Sequence, residues 1–422
     1  MTLAGIDCIA AHLNHGMREA AQDEAARCRG FADDLGVSFA GGDADVPALA
    51  KDLKIGLEEA GRIARYRFFD EVLARTGADL IATAHTADDL VETVILNLVR
   101  GTGLAGLSGI PRQRENIVRP LIEFSRSEAR EHCEKHKFWF HDDPANVDPA
   151  NSRTVVRHQV IPLLEGVNPA TKRHIVELAK QAGEEDRLLN GLAVAALEQS
   201  EHLLNGDLRF LTVDAEVAFD TQKLMTVPRA LLTRALRLAA GSLGAEYDRQ
   251  QTNAIVDGVF NGTSGAVTAK GGEVVAEWDD SLVHIRQLPL GASFNLPLAE
   301  SGEATSDRFG WRVVSEPGDC QDFLRPRASL DAVIDASSVN GGLSARSYEE
   351  GDRIEPLGLG GSKRVSEVFG EMHLTLAARE RLPIVCDSDG PIWVPGGCLA
   401  ERCKVRPESD QCISLRLESA RG

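Results

Sequence analysis

The chain contains no C-x-x-C pair, no long apolar run, few aromatic residues and no excess of positive charge. Its eight cysteines are scattered; Cys398 and Cys403 are the closest two, and no His/Cys partner set completes a zinc pattern. No metal site, and reduced structural thiols in a cytoplasmic protein, are therefore expected. No stretch approaches the ~18 apolar residues that would span a bilayer. The start, MTLAGIDCIAAHLNHG, has no basic n-region, and Asp7 interrupts its apolar run, so neither a signal peptide nor a membrane partner is expected. Aromatics make up 5% of residues, which leaves Leu, Val, Ile and Ala to build the cores. Lys and Arg number 46 against 64 Asp and Glu, for a net charge of −18. Whole-chain electrostatics thus gives no sign of nucleic acid, and a nucleic-acid partner would need local basic patches.

At 422 residues, the chain has room for two or three domains of roughly 150 residues each. "IDCIAAHL" (6–13) reads as a buried strand, 19–35 as a helix ended by Gly36, and "VSF" (37–39) as a short strand. Residues 57–76 read as a helix, and "DLIATA" (79–84) as a strand buried on both faces. A helix over 88–100 carries Leu90, Val91, Val94, Ile95 and Leu98 on one stripe. "IVRPLI" (117–122) is a further strand, with a helix at 126–137. Strands alternating with helices predict an α/β doubly wound parallel sheet over residues 1–168. A helical middle domain with short strands is expected over 169–287, a β-rich linker over 288–345, and a small α+β domain over 346–422. There is no internal repeat and no low-complexity tract.

The chemistry concentrates in "HTADDLVETVILNLVRGTGLAGLSGI" (85–110). His85 follows a strand directly, and ligands of an open parallel sheet sit outside the carboxyl ends of its strands. Thr86 and Asp89 have the spacing of a capping box, which is the bland explanation. But Asp88, Asp89 and Glu92 share one edge of the first turn. Three carboxylates there repel one another unless a cation or an ammonium group sits among them. The glycines at 101, 103, 106 and 109 either end the helix or let backbone N–H groups approach an oxyanion. Arg62 and Arg65, and Arg153 and Arg157, are one turn apart. Each pair is either a solvated face or a source of positive charge for the site.

In order and spacing, "HLNHGMR", "EEAGRIARYRFF", "TAHTADDLVETVILNLVRGTGLAGLSGIP", "RPLIEFSR" and "DDPANVDPANSRTVVRHQVIPLLEGVNP" resemble the catalytic domain of the tRNA(Ile)-lysidine synthases, members of the PP-loop ATP pyrophosphatase superfamily. "GDRIEPLGLGGSKRVSEVF" and "RERLPIVCDSDGPIWVPG" resemble that family's C-terminal domain. The resemblance implies ATP-dependent adenylation at C2 of the wobble cytidine in the CAU anticodon of tRNA(Ile). The amine of free L-lysine then displaces AMP, and the codon read changes from AUG to AUA. It implies ATP and Mg2+ as cofactors, and a homodimer is a further expectation. Asp89 and Glu92 would hold the lysine ammonium, and His85, Asp88, Asp89, Arg65 and Arg157 would serve catalysis. His12, Asn14, His15 and Gly16, with Arg100, Gly101 and Gly103, would bind ATP. Lys363, Arg364, Arg379 and Arg381 would bind tRNA, with a solvated basic rim as the alternative.

The sequence departs from the family pattern in two places. Family members carry an S-G-G-x-D-S pyrophosphate loop before the "HLNHG" strand, and none occurs in these 422 residues. A start assigned too far downstream is the preferred expectation, because the residues serving lysine and the base are present. A catalytically inactive tRNA-binding relic is the alternative. Thr154 stands where the pattern has Asn. A tRNA 2-thiolation enzyme of the same superfamily is disfavoured, because its paired cysteines are lacking.

Overall fold

A computed structural model describes residues 5–16, 20–140, 152–288, 291, 293–320 and 330–420, with backbone alone at 20–22. Met17 and Arg18 of "HLNHGMR", and 142–151 of the "DDPANVDPANS" stretch, lie outside the described residues. The chain divides into two compact units, Met1–Arg187 and Leu188–Gly422.

In the first unit, β1 (Ile9–Asn14), α1 (Ala20–Asp34), β2 (Ser38–Asp43), α2 (Val46–Leu53) and α3 (Leu57–Thr76) form an α/β layer. β1 and β2 pair in parallel from Ile9↔Ser38 to Asn14↔Asp43. Ala60, Ala64, Phe68 and Val72 recur every fourth residue of α3, so one ridge of the helix is apolar and packs with Leu13, Ala40 and Val46. Close packing here requires a residue without a side chain: a Cβ at Gly61 would lie 3.3 Å from His15 Nδ1. Gly77, in a left-handed conformation at φ 70°, ends the helix.

A second parallel pair follows, β3 (Ile81–Ala82) with β5 (Ile117–Val118), and β4 (Gln113–Arg114) adds antiparallel to β5. Between β3 and β4 come α4 (Ala87–Arg100) and α5 (Leu104–Leu107). β3 hydrogen-bonds to β5 alone, and Leu80 is 53% exposed. This corrects the expectation of a six-residue strand buried on both faces: one edge of β3 has no strand beside it among the described residues. Leu90 and Val94 of α4 pack with Ile122 and Ala179, and Val91 and Ile95 with Val156 and Ile161. Leu98, expected on the same stripe, is exposed. Gly109, at φ 64°, closes the loop tightly: a Cβ there would lie 2.4 Å from a Leu90 methyl. The unit continues with α6 (Arg126–Lys135), α7 (Ser152–Val155), a π-helical turn at Val156–Val160, α8 (Ile161–Val167) and the start of α9 (Thr171–Ser200).

The second unit holds two apolar cores. In the first, the antiparallel sheet β6-β9-β8-β7 comprises β6 (Glu216–Asp220), β9 (Leu282–Gln287), β8 (Val274–Trp278) and β7 (Gly265–Thr268). It packs with α10 (Thr221–Leu224), α11 (Arg229–Ser242) and α12 (Arg249–Asn261) through Leu232, Leu236, Ile255 and Ile285, all fully buried. Two sheets frame the second core. One is ordered β10-β14-β17-β18-β19, from β10 (Asn295–Leu298), β14 (Leu343–Arg346), β17 (Ile384–Asp387), β18 (Gly390–Val394) and β19 (Cys398–Leu399). The other is ordered β11-β12-β20-β13, from β11 (Gly302–Ser306), β12 (Trp311–Gly318), β20 (Cys412–Ser419) and β13 (Asp331–Asp335). The hairpin of β15 (Arg353–Ile354) and β16 (Lys363–Arg364) leads into α13 (Val365–Glu371) and α14 (Leu376–Arg381).

Residues 288–345 are therefore not a linker. Trp311, Val313 and Ile334 are buried in the same core as Phe369, Ile384 and Leu415, because β12 and β13 both pair with β20. The first compact unit extends beyond residue 168 to Arg187, inside α9. Pairing of Gly318 with Cys412 brings Cys320 within disulfide reach, and Cys320 and Cys412 are bonded, with Cα atoms 5.4 Å apart. The expectation of eight reduced thiols is corrected accordingly; the other six cysteines are free. No helix among the described residues is long and apolar enough to cross a membrane.

Candidate active site

The acid cluster is held by the first turn of α4. Asp89 Oδ2 accepts the Thr86 backbone N–H and the Thr86 hydroxyl, both at 2.8 Å. The capping box is thus real and is worth about 1 kcal/mol. It uses only one oxygen. Asp89 Oδ1 faces Arg126 Nη2 at 3.2 Å and Arg157 Nη2 at 4.0 Å. Glu92 is fully buried, an expensive place for a carboxylate unless it is paired. Arg157 grips it through two nitrogens, Nε to Oε1 at 2.7 Å and Nη2 to Oε2 at 3.1 Å. Arg126 Nη2 lies 3.5 Å from Glu92 Oε1, and Arg153 Nε lies 3.7 Å from Oε2. Asp88 accepts the Arg126 backbone N–H at 2.7 Å and meets Lys172 Nζ at 3.1 Å.

Burial tends to raise the Asp88 pKa, but the bonds from Arg126 and Lys172 outweigh it and hold the carboxyl below its ordinary range. The bond to Glu92 raises the Arg157 pKa further, against partial burial. Arg157 lies in the π-helical turn, a local widening of the kind often found at functional sites.

His85 sits just beyond β3, its Nδ1 2.9 Å from the Thr83 hydroxyl. Burial lowers its pKa; Asp89 acts in the opposite direction, while Arg119, Arg153 and Arg65 reinforce the fall. The His15 pKa is likewise lowered, first by burial and then by Arg65 and His12. Arg65 therefore acts on both histidines, and the ends of β1 and β3 share its field. His15 Nδ1 is buried without a hydrogen-bond partner. Asn14 is committed locally: its amide donates to Asp43 Oδ1, and its oxygen accepts the Gly16 N–H, both at 3.0 Å.

Three expected ATP-binding residues fall elsewhere. Arg100 closes the far end of α4, roughly 18 Å along the axis from Asp88 at 1.5 Å per residue. Gly101 caps that end and Gly103 starts α5. Gly101 thus serves the helix-ending role that was the alternative reading, and Arg100, Gly101 and Gly103 lie at the opposite end of α4 from His85. Among the described residues no group of three or more His, Cys, Asp or Glu side chains could hold a metal ion.

In the second unit, Arg364 is the N-cap residue of α13 and is exposed. Lys363 pairs with Glu371. Arg379 donates through Nε to the Leu374 carbonyl at 3.0 Å. Arg381 is a correction. It is buried, and its Nη1 donates to the Leu211 carbonyl at 2.9 Å and to Asp214 Oδ1 at 2.6 Å. A cation committed in this way inside the core cannot grip a phosphate.

Sequence reasoning missed Arg126, Lys172 and Arg119. Arg126 stood inside a quoted motif, "RPLIEFSR", and just after a Ser125–Glu128 capping box. Those signals were available. Arg119, buried with its Nε unpartnered, lines a cavity of about 770 Å³ with Ile110, Ile122, Lys180 and Arg187.

His85 at the carboxyl end of β3, beside the N-terminus of α4 and under the influence of Arg65, Arg119 and Arg153, occupies the place where ligands of open α/β sheets sit, and the class is that of an α/β protein with its site at the strand ends. A PP-loop domain model matches residues 1–164, and a model described as the TilS substrate C-terminal domain matches residues 343–417. The chain is 30% identical over 406 residues to the tRNA(Ile)-lysidine synthase of Geobacillus kaustophilus, covering 93% of this chain and 84% of the relative. It is 30% identical over 417 residues to that of Caldanaerobacter subterraneus subsp. tengcongensis, covering 96% and 86%. A crystal structure of a TilS C-terminal domain matches 31% of this chain and all of its own, at 28% identity and a TM-score of 0.27. The chain belongs to the tRNA(Ile)-lysidine synthase family.

Proposed function

We propose that this protein uses ATP to activate C2 of the wobble cytidine in the CAU anticodon of tRNA(Ile) and joins the side-chain amine of free lysine to that carbon. The cytidine O2 attacks the α-phosphorus of ATP and pyrophosphate leaves. The lysine amine then attacks C2, the C–O bond breaks and AMP departs. One observation carries the reading. Asp89 Oδ1 and Glu92 Oε1 converge on a single nitrogen, Arg126 Nη2, at 3.2 and 3.5 Å, which is the coordination an alkylammonium needs.

Arg157 stands at that seat, and His85, with Arg65 acting on it, would supply the positive and neutral donors that a developing phosphoryl charge requires. Burial keeps His85 neutral near pH 7, so it can take up the proton an ammonium must lose before its nitrogen attacks. Exposed Arg364, with Lys363 and Arg379, supplies a local cationic patch for tRNA phosphates on an acidic chain. The test is transfer of labelled lysine to a tRNA(Ile) transcript bearing CAU. Label that requires ATP and is accompanied by AMP release is expected. Sulfur incorporation without lysine would support a thiolation enzyme instead.

A further inference from the structure

The seat assigned to the lysine ammonium is already filled by the protein's own guanidinium. Four cations touch the three carboxylates: Arg126, Arg153, Arg157 and Lys172. An ammonium arriving between Asp89 Oδ1 and Glu92 Oε1 would need the space that Arg126 Nη2 fills, so a resident cation must move. The geometry says which. Arg157 binds Glu92 through two nitrogens, and its side chain is 20% exposed. Arg126 reaches Asp89 and Glu92 through one nitrogen, and its side chain is 44% exposed. The main chain of Arg126 is anchored independently: its N–H donates to Asp88 Oδ2, and Ser125 and Glu128 cap the helix. The side chain can therefore swing out while α6 stays in place.

Resting on the lysine reading above, we propose that Arg126 is a specificity-determining placeholder that occupies the ammonium seat of the empty enzyme and yields it only to a ligand carrying its own cation. While Arg126 holds the seat, only the fraction of molecules in which it has swung out can bind lysine, and the apparent affinity falls by that fraction. A side chain without a charge cannot replace the guanidinium, so neutral amino acids of similar length are rejected.

The test is calorimetric titration of L-lysine into the full chain, its R126A and R126K variants, and D89N, with norleucine as the uncharged probe. R126A should bind lysine about three- to tenfold more tightly than the unaltered protein. R126K, which keeps a cation in reach of the seat, should stay close to the unaltered protein. D89N should lose lysine, and norleucine, which the unaltered protein and R126K reject, should gain measurable binding to R126A; norleucine rejected by R126A as well would overturn the specificity role of Arg126. Unchanged or weaker lysine binding by R126A, with D89N still defective, would overturn the placeholder and leave the lysine site standing. Equal lysine binding by D89N and the unaltered protein would overturn the lysine site itself, and the placeholder with it. Lysine binding by none of the proteins would overturn both.

Discussion

Glu92→Ala is expected to destabilise the first unit by about 3 kcal/mol, the lower end of what removing one partner of a buried ion pair costs. The carboxylate is fully buried and neutralises the Arg157 fork while also facing Arg126 and Arg153. Its removal leaves a partly buried guanidinium facing a cavity. The lower end applies because the three arginine side chains are 20–44% exposed, so water recovers part of the loss. For a unit of this size the shift should be roughly 6–12 °C in melting temperature. Glu92→Gln keeps the shape and one acceptor, and should recover part of the loss. Calorimetry of the full chain reads both variants. A shift below about 2 °C for Glu92→Ala would mean that the cluster contributes nothing to the fold and that its arginines are held by other groups.

On the proposed reading Asp89 divides its two oxygens between structure and ligand, and two substitutions separate the roles. Asp89→Ala should lose the capping box, about 1 kcal/mol, and also the ammonium contact. Truncating one partner of a buried, hydrogen-bonded charge pair costs about 2–3 kcal/mol, a roughly 30- to 150-fold rise in KM for lysine. Asp89→Asn retains an oxygen for the Thr86 N–H and hydroxyl but no charge. It should keep the stability and show the same rise. The affinity for tRNA should change less than about twofold in both, since neither substitution alters Lys363, Arg364 or Arg379, the residues proposed to bind tRNA. Loss of tRNA binding with an unaltered KM for lysine would place the lysine site elsewhere.

Local signals were legible where neighbours in sequence are neighbours in space. The four-residue ridge of α3, the Thr86–Asp89 box and the helix start at Arg364 were readable because each is decided within about one turn. The acid cluster was legible as an electrostatic problem: three carboxylates on one edge need a cation. Which cation solves it was not legible, because Arg126 lies 37 residues from Asp89 and Arg157 lies 65 from Glu92. The same limit produced the error at Arg381, whose partner Asp214 is 167 residues away. Residues 288–345 looked like a linker because their Gly, Pro and Ser content hid short strands. The alternation of Trp311, Val313 and Ser315 into the core gains meaning only through β20, more than ninety residues later.

The measurement that bears most directly on the central claim is the identity of the modified nucleoside. A tRNA(Ile) transcript with C at the first anticodon position, and a twin with U there, would be incubated with the protein, ATP and isotopically labelled lysine. Both would then be digested to nucleosides for mass spectrometry. The account predicts a single new nucleoside, cytidine carrying lysine at C2, from the C transcript alone. Label on the U transcript, or label esterified at the 3′ end with the wobble cytidine unchanged, would contradict it.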